Sequence, residues 1–322
     1  MDLEEQILRY YLKAFSFTLI IFIFLFLFYT LYLLNKDIEI KNNPISINKG
    51  DSIEEVLKNN ILDVTFFDIT FIKTYIKINS FINKKYFHYG DFNIQSNSSF
   101  KDFLKIIFKP SNVLLKITIV EGWSQNQLDL ELSKYFNDFN TIPYQDIIAD
   151  TYYLNKNSDF NSFLNKLVNF KTNYFRKYMN NELNDKFNVN ELMIIGSLLE
   201  KEGLDTEDKR KISSVIFNRL DKKMKLQIDA TVLFALTNGN YDLGRKLLIR
   251  DLKIIHPFNT YLNEGLPPEP ISYVGKKTLD ILFENNKSDF LFYFFNYSLN
   301  RHIFSKTFKE HREKLNEYRK KN

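Results

Sequence analysis

The chain has 322 residues, 44% of them hydrophobic and 26% charged; this exceeds the roughly 100 to 200 residues of one typical domain, so two or more globular units are expected and a disordered polymer is excluded. The net charge of +5 is spread along the whole length, with no basic block beyond the closing "YRKKN", which argues against a nucleic-acid partner. There are no cysteines, and the four histidines, His88, His256, His302 and His311, are scattered; disulfides and thiolate metal sites are excluded, and neither a metal nor another cofactor is expected.

In chain order, a short tail at 1–13 precedes residues 14–34, "AFSFTLIIFIFLFLFYTLYLL", which carry no charge. At about 1.5 Å per residue a helix of this length crosses the roughly 30 Å hydrocarbon core. The following "LLNKDIEI" offers no small-residue cleavage site, so an uncleaved, single-pass anchor is expected. Arg9 and Lys13 before the span nearly balance Lys36 and Lys41 after it, and charge barely decides orientation. The short tail and large C-terminal body favour a cytoplasmic tail with the body outside.

Residues 35–44 read as a polar tether. From Ile45, "ISINKGDSIEEVLKNN" predicts a strand, a turn at Gly50 and a helix opened by a capping box of Ser52 and Glu55. The same grammar returns 72 residues later in "KITIVEGWSQNQLDLEL", with Gly122 in the turn and a box of Ser124 and Gln127, and more loosely in "FNIQSNSSFKDFLKIIF". Between Asn137 and Asn190 the text is polar and aromatic, and Phe160, Phe163, Leu164, Leu167 and Phe170 keep the spacing of a packed helix. Strong helices follow in "NELMIIGSLLEKE" and in "TEDKRKISSVIFNRLDKK", where Thr206 can cap. Four of the seven prolines fall between Pro257 and Pro270, which predicts an extended loop. A strand at "FLFYFF" and a polar, exposed helix from Thr307 to Lys320 close the chain.

The helix "NELMIIGSLLEKE" raises the question of chemistry. Glu200 and Glu202 lie about 200° apart on a helix and cannot share one bond of a substrate. Glu200 ends the apolar face, and Gly196 with Ser197 leaves a notch one turn before it. A desolvated acid beside a notch suits a general acid in a substrate groove. The alternative is a structural pair between Glu200 and a basic residue such as Arg219, with Gly196 serving only close packing. Glu202 and Glu207 read as solvated charges, and Trp123 as either a sugar-stacking or a packing residue.

The ordered set "LLEKEG", "SSVIFNRLDKKMKLQIDATVLFAL", "HPFNTYLNEGLPPEPISYVG", "KSDFLFYFF" and "HIFSKTFKEH", with "ITIVEGWSQNQL" upstream, closely resembles the endolytic murein transglycosylases of the MltG or YceG-like family. The resemblance covers nearly all of the chain after the anchor and is faint between Asp129 and Asn190. It implies an α+β chain: a transmembrane helix at 14–34, a LysM-like α+β region at 45–118, a connecting region at 119–189 and a YceG-like catalytic domain at 190–322. Carried over residue by residue, it makes Glu200 the catalytic acid, and places Ser197, Asn218, Arg219, Gln227, Asp229, Asn259, Thr260 and Tyr261 along the groove. Gly203, Ile228, Ala230 and Arg312 depart from the family's usual residues. The implied reaction cuts the β-1,4 bond between N-acetylmuramic acid and N-acetylglucosamine in nascent glycan strands. The C6 hydroxyl of the muramic acid is the nucleophile, and 1,6-anhydro ends result. The implied partners are peptidoglycan strands, the bacterial inner membrane and proteins of wall synthesis. A glycan-binding scaffold without activity, and a hydrolase using Asp229 as second carboxylate, are the alternatives.

Overall fold

The computed structural model describes residues 3–84, 86–95, 98–156 and 158–321, with mixed α and β structure in two units. The first comprises Met1–Leu115 with Tyr153–Ser158, and the second Lys116–Tyr152 with Asp159–Asn322.

The first unit opens with helix α1 (Leu3–Asn35), longer at both ends than the apolar run. Its stretch Ile7–Asn35 is long and apolar enough to cross a membrane, and its side chains are exposed up to Leu25. Beyond that point the helix joins a core, where Leu33 is fully buried. Strand β1 (Ile45–Ile47), helices α2 (Ile53–Asn60) and α3 (Phe66–Asn83), strand β2 (Gly90–Phe92) and helix α4 (Phe100–Ile107) follow. β1 and β2 pair antiparallel, Ile45 opposite Phe92 and Ile47 opposite Gly90. The predicted turn and box form: Gly50 sits at φ +100°, and Ser52 and Glu55 cap α2 reciprocally. Thr65 and Asp68 do the same for α3. Alternate residues of β1 and one face of each helix supply the core, with Ile45, Ile47, Leu57, Ile72, Phe92 and Phe103 almost wholly buried. The expected tether is laid into this unit. Ile38 is buried, its amide donates to the Ser98 carbonyl, and the Lys41 amide donates to that of Asn60.

Strands β3 (Leu114–Thr118) and β4 (Thr151–Asn155) form a two-stranded sheet, and the division between the units falls within each strand. In the second unit, Gly122 at φ +76° leads into α5 (Gln125–Leu132), capped by Ser124 and Gln127. Helix α6 (Phe160–Arg176) buries Phe163 and Leu167. Residues 119–152 and α6 thus belong to the second unit's fold; Tyr174 on α6 donates to the Asp280 carboxylate, 2.7 Å away.

The core of this unit gathers around α7 (Val189–Glu202), α8 (Thr206–Asp221) and α10 (Lys276–Phe283), with Leu192, Ile195, Leu198, Ile212, Ile216, Leu279 and Leu282 in one cluster. Asp205, one residue before the expected Thr206, caps α8 by accepting from the Asp208 amide. Helix α9 (Asp229–Thr237) precedes the proline-rich loop, which is irregular as its prolines dictate. Antiparallel strands β5 (Phe292–Asn296) and β6 (Arg301–Ser305) and helix α11 (Phe308–Lys321) complete it. Most of α11 is exposed, but His311 packs 5.5 Å from Phe292.

Candidate active site

Every residue of α7 from Leu192 to Leu199 is buried, so its last turn is the first place where charge emerges from the core. Three successive side chains leave it in three directions. Glu200 accepts from the Gly275 amide at 2.9 Å and from Lys209 Nζ, which also donates to Thr278 at 2.8 Å. Both carboxylate oxygens are therefore taken by fixed donors, and the side chain is 3% exposed. This is the structural ion pair foreseen as an alternative, with Lys209 in place of Arg219. Lys201 lies over the Tyr241 ring, 3.6 Å from its centroid.

Glu202 turns toward a different set of groups, contrary to its expected solvation. Tyr293 on β5 donates to its Oε2 at 3.1 Å. Burial pushes the Glu202 carboxyl up to about 7; the charge of Asp229 adds to the rise, while the Tyr293 hydroxyl, His302 and the Ala230 amide oppose it. Burial, and then the charge of Glu202, hold the Tyr293 hydroxyl well above the ordinary phenol range. Asp229, the exposed first residue of α9, accepts from the Tyr261 hydroxyl at 2.5 Å. Glu202, Asp229, Tyr261 and Tyr293 therefore form one acidic and phenolic cluster. At its edge His302 Nδ1 is 2.7 Å from Asp208, and the imidazole packs edge-on to Tyr293, 5.3 Å between centroids.

Two stitched loops hold the cluster. The Gln227 amide donates to the Thr260 carbonyl at 3.1 Å, and the Ile228 amide to Thr260 Oγ1 at 2.9 Å, which also meets Thr231 Oγ1 at 2.9 Å. Asn259, fully buried, donates to the Leu252 and Ile254 carbonyls at 3.0 and 2.8 Å and accepts from the Tyr261 amide at 2.9 Å. Arg219 donates to the Leu226 and Leu291 carbonyls at 2.6 and 2.7 Å, tying the loop before Gln227 to the strand that carries Tyr293. Asn218 grips the Ser288 and Phe290 carbonyls at 2.7 and 2.9 Å.

Of the residues expected along a groove, Asp229 and Tyr261 border Glu202, and the Gln227 side chain is exposed beside them. Asn218, Arg219, Asn259 and Thr260 act beneath the site as braces. Ser197 faces no groove: it is fully buried and accepts from the Ile271 amide at 3.0 Å. The notch at Gly196 is filled by Val274, whose Cγ1 would lie 2.6 Å from an added Cβ. Sequence reasoning missed Lys209, Tyr293 and His302. A signal for the last two exists in the text: on paired β5 and β6 they fall on one strand face among phenylalanines. Glu207, as expected, is an exposed charge, paired with Lys211 at 3.3 Å. Among the described residues no group of three or more His, Asp or Glu side chains is placed to hold a metal ion.

The model of the YceG-like family matches residues 45–317. An endolytic murein transglycosylase of Bacillus subtilis (strain 168) is 40% identical over 134 residues, 42% of this chain and 36% of that protein. The endolytic murein transglycosylase of Streptococcus pneumoniae serotype 2 (strain D39) is 25% identical over 252 residues, 63% of this chain and 46% of that protein. The matches thus span under half the length of these relatives. A crystal structure of a YceG-like protein from Listeria monocytogenes shares the fold, with a TM-score of 0.54 and 24% identity, over 85% of this chain and 99% of that one.

Proposed function

We propose that this chain, which belongs to the YceG-like family, is a membrane-anchored lytic transglycosylase that cuts peptidoglycan glycan strands with Glu202 as its acid. The observation that carries the reading is the Glu202 carboxyl, poised at about 7 by burial and Asp229 and fixed by the Tyr293 hydroxyl. A general acid works best with a proton affinity near the working pH. Glu200, the acid expected by resemblance, has both oxygens engaged by Lys209 and Gly275, which supports Glu202 over it in this reading.

In this reading the bond between C1 and the bridging oxygen breaks, its electron pair stays on that oxygen, and Glu202 supplies the proton. The muramic acid C6 oxygen bonds to C1, and its proton passes to the Glu202 carboxylate, so water is not consumed. Asp229 faces the positive charge that develops at C1. Tyr261 holds Asp229, and Tyr293 aims Glu202. The neutral donors and acceptors around the site suit sugar hydroxyl and acetamido groups. The anchor would be Ile7–Asn35, with the body outside the cytoplasm. Residues 45–118 would form a LysM-like region gripping glycan near wall-synthesis proteins. Tethering raises the local concentration of membrane-attached strands and restricts which bonds are reached, so the product would have a set length.

The presence of Asp229 beside Glu202 favours one second reading, a hydrolase in which Asp229 activates water. Mass spectrometry of products from uncrosslinked glycan strands tests both, using the full chain as wild type, Glu202→Gln and Glu200→Gln. Anhydro ends from wild type and from Glu200→Gln, with none from Glu202→Gln, are expected. Reducing ends would move the assignment to the hydrolase. Loss in Glu200→Gln alone, with the fold intact, would return the acid to Glu200, and no products from a folded wild type would leave a scaffold.

A further inference from the structure

The most exposed apolar surface on the first unit, outside α1 itself, lies on α3. At 100° per residue this helix has three faces. Ile69, Ile72 and Ile76 point into the core and are buried. Thr70, Lys73 and Lys77 lie together on a second face, which opens with the exposed Phe66 and where Lys73 pairs with Glu54 at 2.8 Å. The third face is a stripe of Phe67, Phe71, Ile78, Phe81 and Ile82, interrupted only by Thr74. Phe67 is 66% exposed, Ile78 46%, Phe81 89% and Ile82 67%. A stripe of this size on a soluble surface marks a place where something apolar docks.

The position of Phe71 says what docks there. Phe71 belongs to the stripe, and it is the ring that stacks on α1, 4.9 Å from Phe26 and 4.5 Å from Tyr29. Asp68, one turn earlier in α3, meets Tyr29 and Lys36, each at 3.1 Å. One turn of α3, from Asp68 to Phe71, thus meets Phe26, Tyr29 and Lys36 together, so α3 crosses α1 where its exposed apolar span gives way to its buried end. The exposed stripe is continuous with the exposed apolar surface of that span, and the lysines sit to one side of it.

We infer that α3 lies in the interfacial layer of the bilayer, with Phe67, Ile78, Phe81 and Ile82 among the lipid chains and Lys73 and Lys77 toward the headgroups. The inference rests on the reading of α1 as a membrane span. It makes the first unit a second point of membrane attachment, one that fixes the orientation of the unit where a single helix would let it rotate.

The absence of native cysteines makes the test direct. The full chain is reconstituted in vesicles of phosphatidylethanolamine and phosphatidylglycerol, with an environment-sensitive fluorophore on Phe67→Cys, Phe81→Cys, Lys77→Cys or Phe22→Cys. Emission at positions 67 and 81 is expected to shift to the blue, to be quenched by a nitroxide carried on the lipid chain and to be insensitive to aqueous iodide. Position 77 should show iodide quenching. Iodide quenching at 67 and 81 as strong as at 77, with position 22 in lipid, would overturn the inference and leave the anchor standing. A blue shift at 67 and 81 without lipid quenching would also overturn it, in favour of contact with a second copy of the chain. If position 22 is itself open to iodide, the anchor fails, and α3 with it.

Discussion

Glu200 and Glu202 share a helix turn and differ in everything that decides chemistry. In the proposed reading Glu200 serves as a structural anion: replacing it by Gln leaves Lys209 buried beside a neutral partner, and loss of about 3 kcal/mol of stability is expected in urea unfolding, with cleavage retained below the unfolding range. Glu202→Gln should lower cleavage by about 10²-fold or more. Because the Glu202 carboxyl sits at about 7, the wild-type rate should be flat below that pH and fall about tenfold per unit above it. Tyr293→Phe removes a hydrogen bond that favours the carboxylate, so the falling limb should move to higher pH; a limb that stays put would count against the contact. The same raised affinity makes a stability statement. Protonated Glu202 favours the fold fully below its unfolded value of about 4.3, and this contribution is lost as pH rises through 7. Glu202→Gln should therefore gain stability on wild type between pH 5 and 8, read as a rising difference in urea midpoints. The sequence placed an acid at the end of α7, and Asp229 and Tyr261 near it. It set Glu200 on the apolar face and read Glu202 as solvated, but it did not carry their environments, which come from Lys209, Gly275 and Tyr293, between 9 and 91 residues from the glutamate each one meets.

At the scale of elements, local chemistry was legible wherever a side chain acts on its own backbone. The boxes at Ser52 and Ser124 form with their glycine turns, and the prolines after Pro257 keep the loop out of regular structure. What the text did not carry was contact between distant elements. Gly196 read as an opening, but α7 is surrounded by its own unit, and Val274 occupies the space. Gly196→Ala is expected to force Val274 aside at a cost of about 1 to 3 kcal/mol, visible as a lower melting temperature with the product spectrum unchanged. Were Gly196 part of a substrate notch, the same variant would instead raise KM at constant stability. The tether read over residues 35–44 is laid into the fold for a related reason: its polar text hides a buried Ile38 and backbone bonds to Ser98 and Asn60 that only the folded unit supplies.

For the whole molecule, the junction between α1 and the rest of the first unit lies inside the fold. Leu33 is fully buried, Tyr29 and Lys36 are partners of the buried Asp68, and the Asp37 and Ile40 backbones bridge to Ser99 and Ile61. A chain shortened to begin at Asp37 loses Leu33 from the core, at about 2 to 5 kcal/mol for such a truncation, and leaves a buried carboxylate without its cation. A chain beginning at Phe26 keeps both. The first should therefore be cut by protease within α2 and α3 at lower urea than the second. Fluorescence of Trp123, the single tryptophan, lies in the second unit and should report the same transition in both. Equal protease resistance would mean that the rest of the unit folds without α1. The expected difference would mean that α1 and the rest of the first unit are one folded body, joined by packing and not by a flexible linker.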